Sequence, residues 1–454
     1  MANPLSLTFL GATGTVTGSK HLLDDGHVQT LVDCGLYQGY KQLRLRNWQA
    51  LPLPARSIDA VVLTHAHIDH SGYLPVLARE GYRGAVYCTP STAALCRILL
   101  PDAGHLQELD AGYANRHGFS RHHPALPLYT VEDAKRALEL LRPVEFDERF
   151  TLPGGRHARF TRAGHILGAA CVAVETAGRT VLFSGDLGRD DDVIMQPPAP
   201  RPPADVIVLE ATYGDRMHPA VDPADEIARV IRRTVARGGV VLVPAFAVGR
   251  TQALLVLLHR LRAAGRIPPV PIVVDSPMAT SVTELYARRP GDHHLDRATC
   301  EAAFDRVEYT RDVAASKAID SGAGPAIVIS ASGMATGGRV VHHLKRYAPG
   351  PANTILLAGF QAGGTRGAAL AGGATRLKIH GEFVPVRAEV VGLDCLSAHA
   401  DQRELIAWLG GGPRPQRLFL VHGEPAALDA LRVAIREQLG WDATVPDYRD
   451  TEAL

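Results

Sequence analysis

The sequence has no Cys-x-x-Cys pair. Its six cysteines, Cys34, Cys88, Cys96, Cys171, Cys300 and Cys395, are scattered, and some sit in apolar runs such as Ala170-Cys171-Val172. This excludes a zinc ribbon, argues against a disulfide framework and leads us to expect buried free thiols in a reducing compartment. No apolar run is long enough to span a bilayer. Met1-Ala2-Asn3-Pro4 also lacks the basic-then-apolar pattern of a leader, so a cytoplasmic protein with no membrane partner is expected. Net charge is nearly absent, at +1, so no global positive field advertises nucleic acid. An anionic partner must instead be held by a local patch or by metal. Lysine is scarce: Lys20, Lys41, Lys135, Lys317, Lys345 and Lys378 are the only ones. The arginines that replace it suit bidentate phosphate contacts, although coding bias explains the imbalance as readily. There are no low-complexity runs and no evident repeats.

What is present is a soluble globular composition, 46% hydrophobic and 21% charged, over 454 residues. That length is too great for one ordinary core, so two domains or a domain with a large insertion are expected. Residues 5–10, 21–23 and 28–32 read as hairpin strands. The glycine-rich stretch from Gly11 to Gly18 matches neither phosphate-binding glycine signature, and no helical pattern follows it, so it reads as turns. Residues 71–141 read as mostly helical, with an amphipathic helix over 131–141 entered at Thr130. Strands are expected at 158–162, 170–175, 180–184 and 206–210. From about Pro219 to Arg376 the texture changes to continuous apolar strands alternating with helices, which implies a parallel sheet covered on both faces. Short strands at 384–391 and 417–421 then resemble those of the first region again. The first domain is therefore expected to be interrupted by an insertion and then resumed.

The densest chemistry is the hexapeptide His65-Ala66-His67-Ile68-Asp69-His70, which follows the apolar run 58–63. In extended backbone the side chains of His65 and His67 share a face, so both reach one ion. Asp69 and His70 sit where a helix would begin and diverge toward a second point. His165, flanked by glycines, and Asp186, in Ser184-Gly185-Asp186, lie in turns after strand-like runs. Each is weak alone, but with the hexapeptide they make up a binuclear set in which the two oxygens of Asp186 bridge. Zinc accepts imidazole and carboxylate, and two ions sharing a water lower its pKa and stabilise a displacement. Two divalent ions, two aspartates and a hydroxide leave the site net positive, which attracts a phosphodiester. His122-His123, His293-His294 and His342-His343 read as solvated pairs.

The order Asp33, His65-x-His67-x-Asp69-His70, His165, Asp186 resembles the motif series of the metallo-β-lactamase superfamily. Glu210 in Leu-Glu-Ala-Thr-Tyr-Gly, His399 in Leu-Ser-Ala-His-Ala-Asp and His422 in Leu-Val-His-Gly-Glu resemble its β-CASP branch, the nucleases of RNA and DNA processing. The resemblance implies an α/β fold: a metallo-β-lactamase αββα sandwich interrupted by an inserted α/β β-CASP domain with a mainly parallel sheet. The expected bounds are 1–212, 213–384 and 385–454. It implies two Zn2+ ions, one held by His65, His67, His165 and Asp186, the other by Asp69, His70, Asp186 and His422. Asp33 would steady the ligand loop, and catalytic roles fall to His399, Glu210, Asp69 and Asp186. Glu210 would orient His399, which protonates the leaving oxygen. Histidine at 422 resembles the RNA-processing members. A zinc-dependent ribonuclease acting on single-stranded RNA in an interdomain cleft is the expectation, with a homodimer among its partners. The alternatives are a hydrolase of small esters or lactams and a non-catalytic RNA-binding subunit. In the insertion, Ser330 and Ser332 before a helix are candidate phosphate contacts.

Overall fold

The computed structural model describes residues 5–118, 120–322 and 324–454; residues 1–4, on which the leader expectation rests, lie outside the described residues. The chain divides into two compact units. The first comprises Met1–Asp191, Pro197–Met217 and His399–Leu454; the second comprises Asp192–Gln196 and His218–Ala398.

The first unit is built on two sheets. One has the order Thr451–Ala453, Ser6–Phe9, His21–Asp24, Gln29–Val32, Ala60–Val62, Ala85–Cys88, Leu141–Pro143. The other runs Arg417–Val421, Val206–Glu210, Arg179–Phe183, Ala170–Thr176, His157–Arg162, Arg149–Thr151. Alternate residues of both sheets enter one core: Leu7, Phe9 and Val62 from the first, with Phe160, Val172, Val208 and Phe419 from the second. The sheets therefore pack face to face. The other side chains of Val206–Glu210 are buried as well, which is why the strand reads as a continuous apolar run. Helix Pro90–His117 packs on the first sheet and against helix Val131–Leu138, and helix Pro425–Leu439 packs on the second and against helix Gln402–Gly410. Thr130 enters its helix through a capping box with Asp133, as its position before an acidic first turn suggests. The stretch read as mostly helical also contains the strand Ala85–Cys88. Four residues between a turn and a long helix are too few to set a period.

The second unit carries a sheet of six strands, all parallel: Glu308–Tyr309, Ile272–Asp275, Ile327–Ser330, Val241–Pro244, Thr354–Leu357, Glu389–Gly392. Glu389–Gly392 pairs with Thr354–Leu357, so the inserted sheet runs past residue 384. Its half-buried, mixed texture is that of an edge strand with a single neighbour. Among the described residues no helix is long and apolar enough to cross a membrane, and all six cysteines are free and buried.

In two of the histidine pairs read as solvated one member is exposed, His294 and His342, and the other is buried. His293 is buried and its Nε2 lies 3.0 Å from Tyr286 O. His343 is fully buried and donates from Nε2 to Asp275 and from Nδ1 to Asp320, both at 2.7 Å. The reason is Asp275, a fully buried carboxylate ending a central strand, which needs compensating donors. Arg339, Ser316 and Thr310 supply the rest. Burial disfavours the imidazolium, but the hydrogen bonds to Asp275 and Asp320 outweigh it and raise the His343 pKa to about 9. Burial likewise opposes ionisation of Asp275, yet its donors, His343 foremost, hold it below the usual carboxylate range.

A raised histidine pKa stabilises fully below the unfolded value, about 6.5, and that contribution disappears as pH rises through about 9. The depressed Asp275 contributes above the ordinary carboxylate range and loses its share on acidification. His343→Ala is therefore expected to cost on the order of 3 kcal/mol at about pH 6. Thermal unfolding across pH should show that deficit shrinking above neutrality; a deficit that grows with pH would contradict the charged pair.

Candidate metal centre

Asp33 and four of the predicted ligands lie at or just beyond the carboxyl ends of strands. Asp33 follows Gln29–Val32, His65 follows Ala60–Val62, His165 follows His157–Arg162, Asp186 follows Arg179–Phe183 and His422 follows Arg417–Val421. Strands set the height of each loop, and backbone contacts between loops set the rest. Ser19 N donates to Asp69 O, Cys34 N to His70 O and Leu36 N to Ile68 O, at 2.7–2.9 Å. This approach requires glycine at position 35, where a Cβ would stand 1.5 Å from Asp69 O. Gly188 does the same beside the His165 turn, 2.1 Å from Gly164 O. Asp33 and His422 have φ of 61° and 52°, a left-handed conformation that Asp and His tolerate better than most residues.

Two groups of donors result. In the first, His65 Nε2 and His165 Nε2 lie 3.1 and 3.2 Å from His67 Nδ1, and Asp186 Oδ2 lies 3.5 and 3.7 Å from His65 and His165. In the second, His70 Nε2 is 3.0 Å from His422 Nε2 and 3.3 Å from Asp186 Oδ1; Asp69 Oδ2 is 3.6 Å from His422 Nε2. Within each of the sets His65, His67, His165, Asp186 and Asp69, His70, His422, the ligand atoms lie within 4.8 Å of one another. Asp186 thus presents one oxygen to each group.

The tautomers suit a cation. His70 Nδ1 donates to Asp33 Oδ2 at 2.7 Å, which turns Nε2 toward His422. His65 Nδ1 is 3.1 Å from the Thr64 hydroxyl, which leaves Nε2 for the first group. Burial, then His70, lowers the His65 pKa well below the ordinary value, and burial brings His67 to about 4. Both are neutral imidazoles. Lone pairs converging in a buried space repel one another and are complementary to a positive ion. Burial opposes the charge of Asp186, but His422, His70 and His65 hold it ionised. Buried nitrogen and carboxylate donors with this convergence fit a divalent metal.

Beside them, His399 Nδ1 donates to Glu210 Oε1 at 3.2 Å. Glu210 is 1% exposed and also accepts from Leu187 N at 2.7 Å and Thr212 N at 3.1 Å; the His399 side chain is 17% exposed. The His399 ring lies 4.4 Å from that of His165. Burial works against its imidazolium, but Glu210, with Asp186 and Asp69, raises its pKa above the ordinary value. The loop is fixed by Ala400 N donating to Leu187 O and by a capping box of Asp401 with Glu404, whose carboxylate also accepts from Asp190 N.

Sequence reasoning missed Thr64 and Thr212. Thr64 N donates to Asp33 Oδ1 at 2.8 Å and its hydroxyl bridges Asp33 and His65. The Thr212 hydroxyl lies 3.1 Å from His422 Nδ1. Adjacency to the hexapeptide and to Glu210 was the available signal. The candidate phosphate residues, in the second unit, are already engaged. Ser330 is buried and donates to Asp275 O at 3.0 Å; Ser332, partly exposed, shares its hydroxyl with Thr336.

Because Asp33 holds His70 and Thr64 but offers no ligand atom of its own to either group, Asp33→Ala should weaken metal binding about 10–100-fold without removing a ligand. Competition with a chromophoric chelator measures this; unchanged affinity would remove Asp33 from the site's support.

Residues 21–225 match the metallo-beta-lactamase superfamily, 251–370 the Beta-Casp domain and 384–446 the Zn-dependent metallo-hydrolase RNA specificity domain. A ribonuclease of Thermus thermophilus is 41% identical over 432 residues, which span 93% of this chain and 94% of that protein. Transcription termination factor FttA of Methanosarcina mazei is 30% identical over 456 residues, 95% of this chain and 69% of the relative. An RNase J-like protein of Methanocaldococcus jannaschii is 28% identical over 405 residues, 87% of each chain. A crystal structure of a protein of unknown function from Enterococcus faecalis, 14% identical, superposes with a TM-score of 0.52 over 99% of this chain and 100% of its own, a likeness of fold alone. Identity of 41% across nearly the whole of both chains is far beyond a shared fold: this chain belongs to the β-CASP branch of the metallo-β-lactamase superfamily.

Proposed function

We propose that the chain is a two-zinc ribonuclease that hydrolyses phosphodiester bonds of single-stranded RNA. The observation that carries this reading is Asp186, which presents Oδ2 to a His65–His67–His165 group and Oδ1 to a His70–His422 group. The RNA part rests on relatives named as ribonuclease and RNase J-like protein, and on the match of residues 384–446 to an RNA specificity domain.

In this reading His65, His67, His165 and Asp186 hold one ion, and Asp69, His70, Asp186 and His422 hold the second. When bound, the ions supply Lewis-acid polarisation of the phosphate and a water of lowered pKa. The chain's own residues do the remainder. Asp33 fixes the proton of His70 on Nδ1, so that Nε2 faces inward. Thr212 steadies His422 through Nδ1. Glu210 holds the His399 Nδ1 proton and favours the charged ring, so that Nε2–H is available to the departing oxygen of the cleaved strand. Glu210 also accepts from Leu187 N–H and Thr212 N–H, which fix the carboxylate that orients the ring.

Asp186→Ala and His67→Ala should each abolish cleavage of an unstructured 5′-labelled RNA; full activity in either would sink the metal assignment. His399→Ala should lower kcat by about 10²–10⁴, with bound zinc unchanged by elemental analysis. Zinc lost together with activity would instead assign His399 to the metal.

A further inference from the structure

The helix Lys41–Arg46 in the first unit buries none of its residues. Amphipathic surface helices form because one face packs; this one offers every side chain to solvent or to its rim. Tyr40, Leu45 and Trp48 are 55%, 52% and 57% exposed, a concentration of large apolar surface within nine residues of chain. Interleaved with them are Lys41, Arg44 and Arg46. Residues 34–58 contain no Asp or Glu, and among the described residues none of these three cations pairs with a carboxylate within 4.0 Å. Many of the chain's other cations do find such partners, for instance Arg149 with Glu175 and Arg156 with Asp25.

The patch is rigidly mounted. Asn47 accepts from Tyr37 N at 2.9 Å and donates to Tyr37 O at 2.8 Å, which closes the segment on itself. The Arg46 guanidinium stacks between Tyr37 and Tyr448, 5.4 and 4.3 Å from the ring centres. Tyr37 is buried and donates from its hydroxyl to Leu10 O at 3.1 Å. The stretch begins at Leu36, whose N–H donates to Ile68 O inside the ligand hexapeptide. It is therefore continuous with the loop that carries the metal ligands. In the chain Asp447 and Asp450 flank Tyr448 and Arg449, and Asp450 accepts from Asp447 N at 2.8 Å.

We infer that this segment is an accessory platform for single-stranded RNA, on which Tyr40 and Trp48 stack unpaired bases while Lys41 and Arg44 meet the adjoining phosphates. Exposed aromatic faces beside uncompensated cations are the chemistry that binds single strands without regard to sequence. A duplex hides its base faces and would leave both rings unused. On a chain of net charge +1 such binding has to be local. The inference rests on the ribonuclease reading above and adds to it a place where the substrate is held away from the metals.

The test compares the wild-type holoenzyme with two double variants, Tyr40→Ala/Trp48→Ala and Lys41→Gln/Arg44→Gln, on an unstructured RNA of about 20 nucleotides and on bis(p-nitrophenyl) phosphate. The platform predicts that the aromatic variant raises KM for RNA at least about tenfold, the loss of one stacked base. Turnover of the small diester and bound zinc should stay unchanged. The cationic variant should also flatten the salt dependence of RNA binding, by about 0.7 in slope for each phosphate no longer neutralised. Wild-type KM for RNA in both variants overturns the platform and leaves the ribonuclease reading standing. A wild-type enzyme that hydrolyses the small diester but no RNA overturns both. If sedimentation shows a wild-type dimer that the aromatic variant dissociates, with KM for RNA unmoved, the patch joins copies of the chain and the platform is refuted. Circular dichroism of the variants guards against misfolding, which an unburied helix makes easy to avoid.

Discussion

Asp33 is the joint on which the candidate centre depends. It is buried, stands in a left-handed conformation and accepts hydrogen bonds from His70 Nδ1 and from the backbone and hydroxyl of Thr64. Through His70 it acts on one donor group, and through Thr64, which touches His65, on the other. A buried carboxylate with one donor too few is costly, so these partners are held in place as firmly as Asp33 holds them. Donors from widely separated parts of the chain can then converge with their lone pairs inward, an arrangement that becomes favourable when positive charge occupies the middle.

The second unit uses the same physics with the charge balanced from within. Asp275 is as deeply buried as Asp33, but its donors are a protonated His343, an arginine and two hydroxyls, all on the protein itself. A carboxylate satisfied by protonated donors stabilises a sheet end. Imidazoles held neutral by burial, as His65 and His67 are, turned on a shared carboxylate invite a metal. The contrast explains why histidine density alone is a poor guide and why the neighbours of each ring decide what it does.

Much of the site is legible in the sequence because its chemistry is carried by residue type and order. The hexapeptide, His165, Asp186, His422, Glu210 and His399 are ligand and proton-transfer types placed after apolar runs, and that pattern survives without coordinates. The fold is legible where runs are long: Val206–Glu210 and Ile327–Ser330 are buried on both faces and read as such. Ala85–Cys88 is not, being short and wedged against a long helix. The edge strand Glu389–Gly392 reads as part of the resumed first domain because edge strands of any sheet share its mixed texture. His343 reads as solvated since nothing beside it in sequence discloses Asp275, 68 positions before it.

By itself the sequence determined the identity and order of the donors, the alternation of strand and helix, and the interruption of one domain by another, because each of these is a local pattern or a succession of local patterns. Tertiary structure alone decided which donors meet, that Asp186 shows one oxygen to each group, that Thr64 and Thr212 hold the rings, and that the helix Lys41–Arg46 buries none of its side chains. Those outcomes depend on register and on approach between residues hundreds of positions apart, as between His70 and His422. No period or propensity along the chain encodes a distance across it.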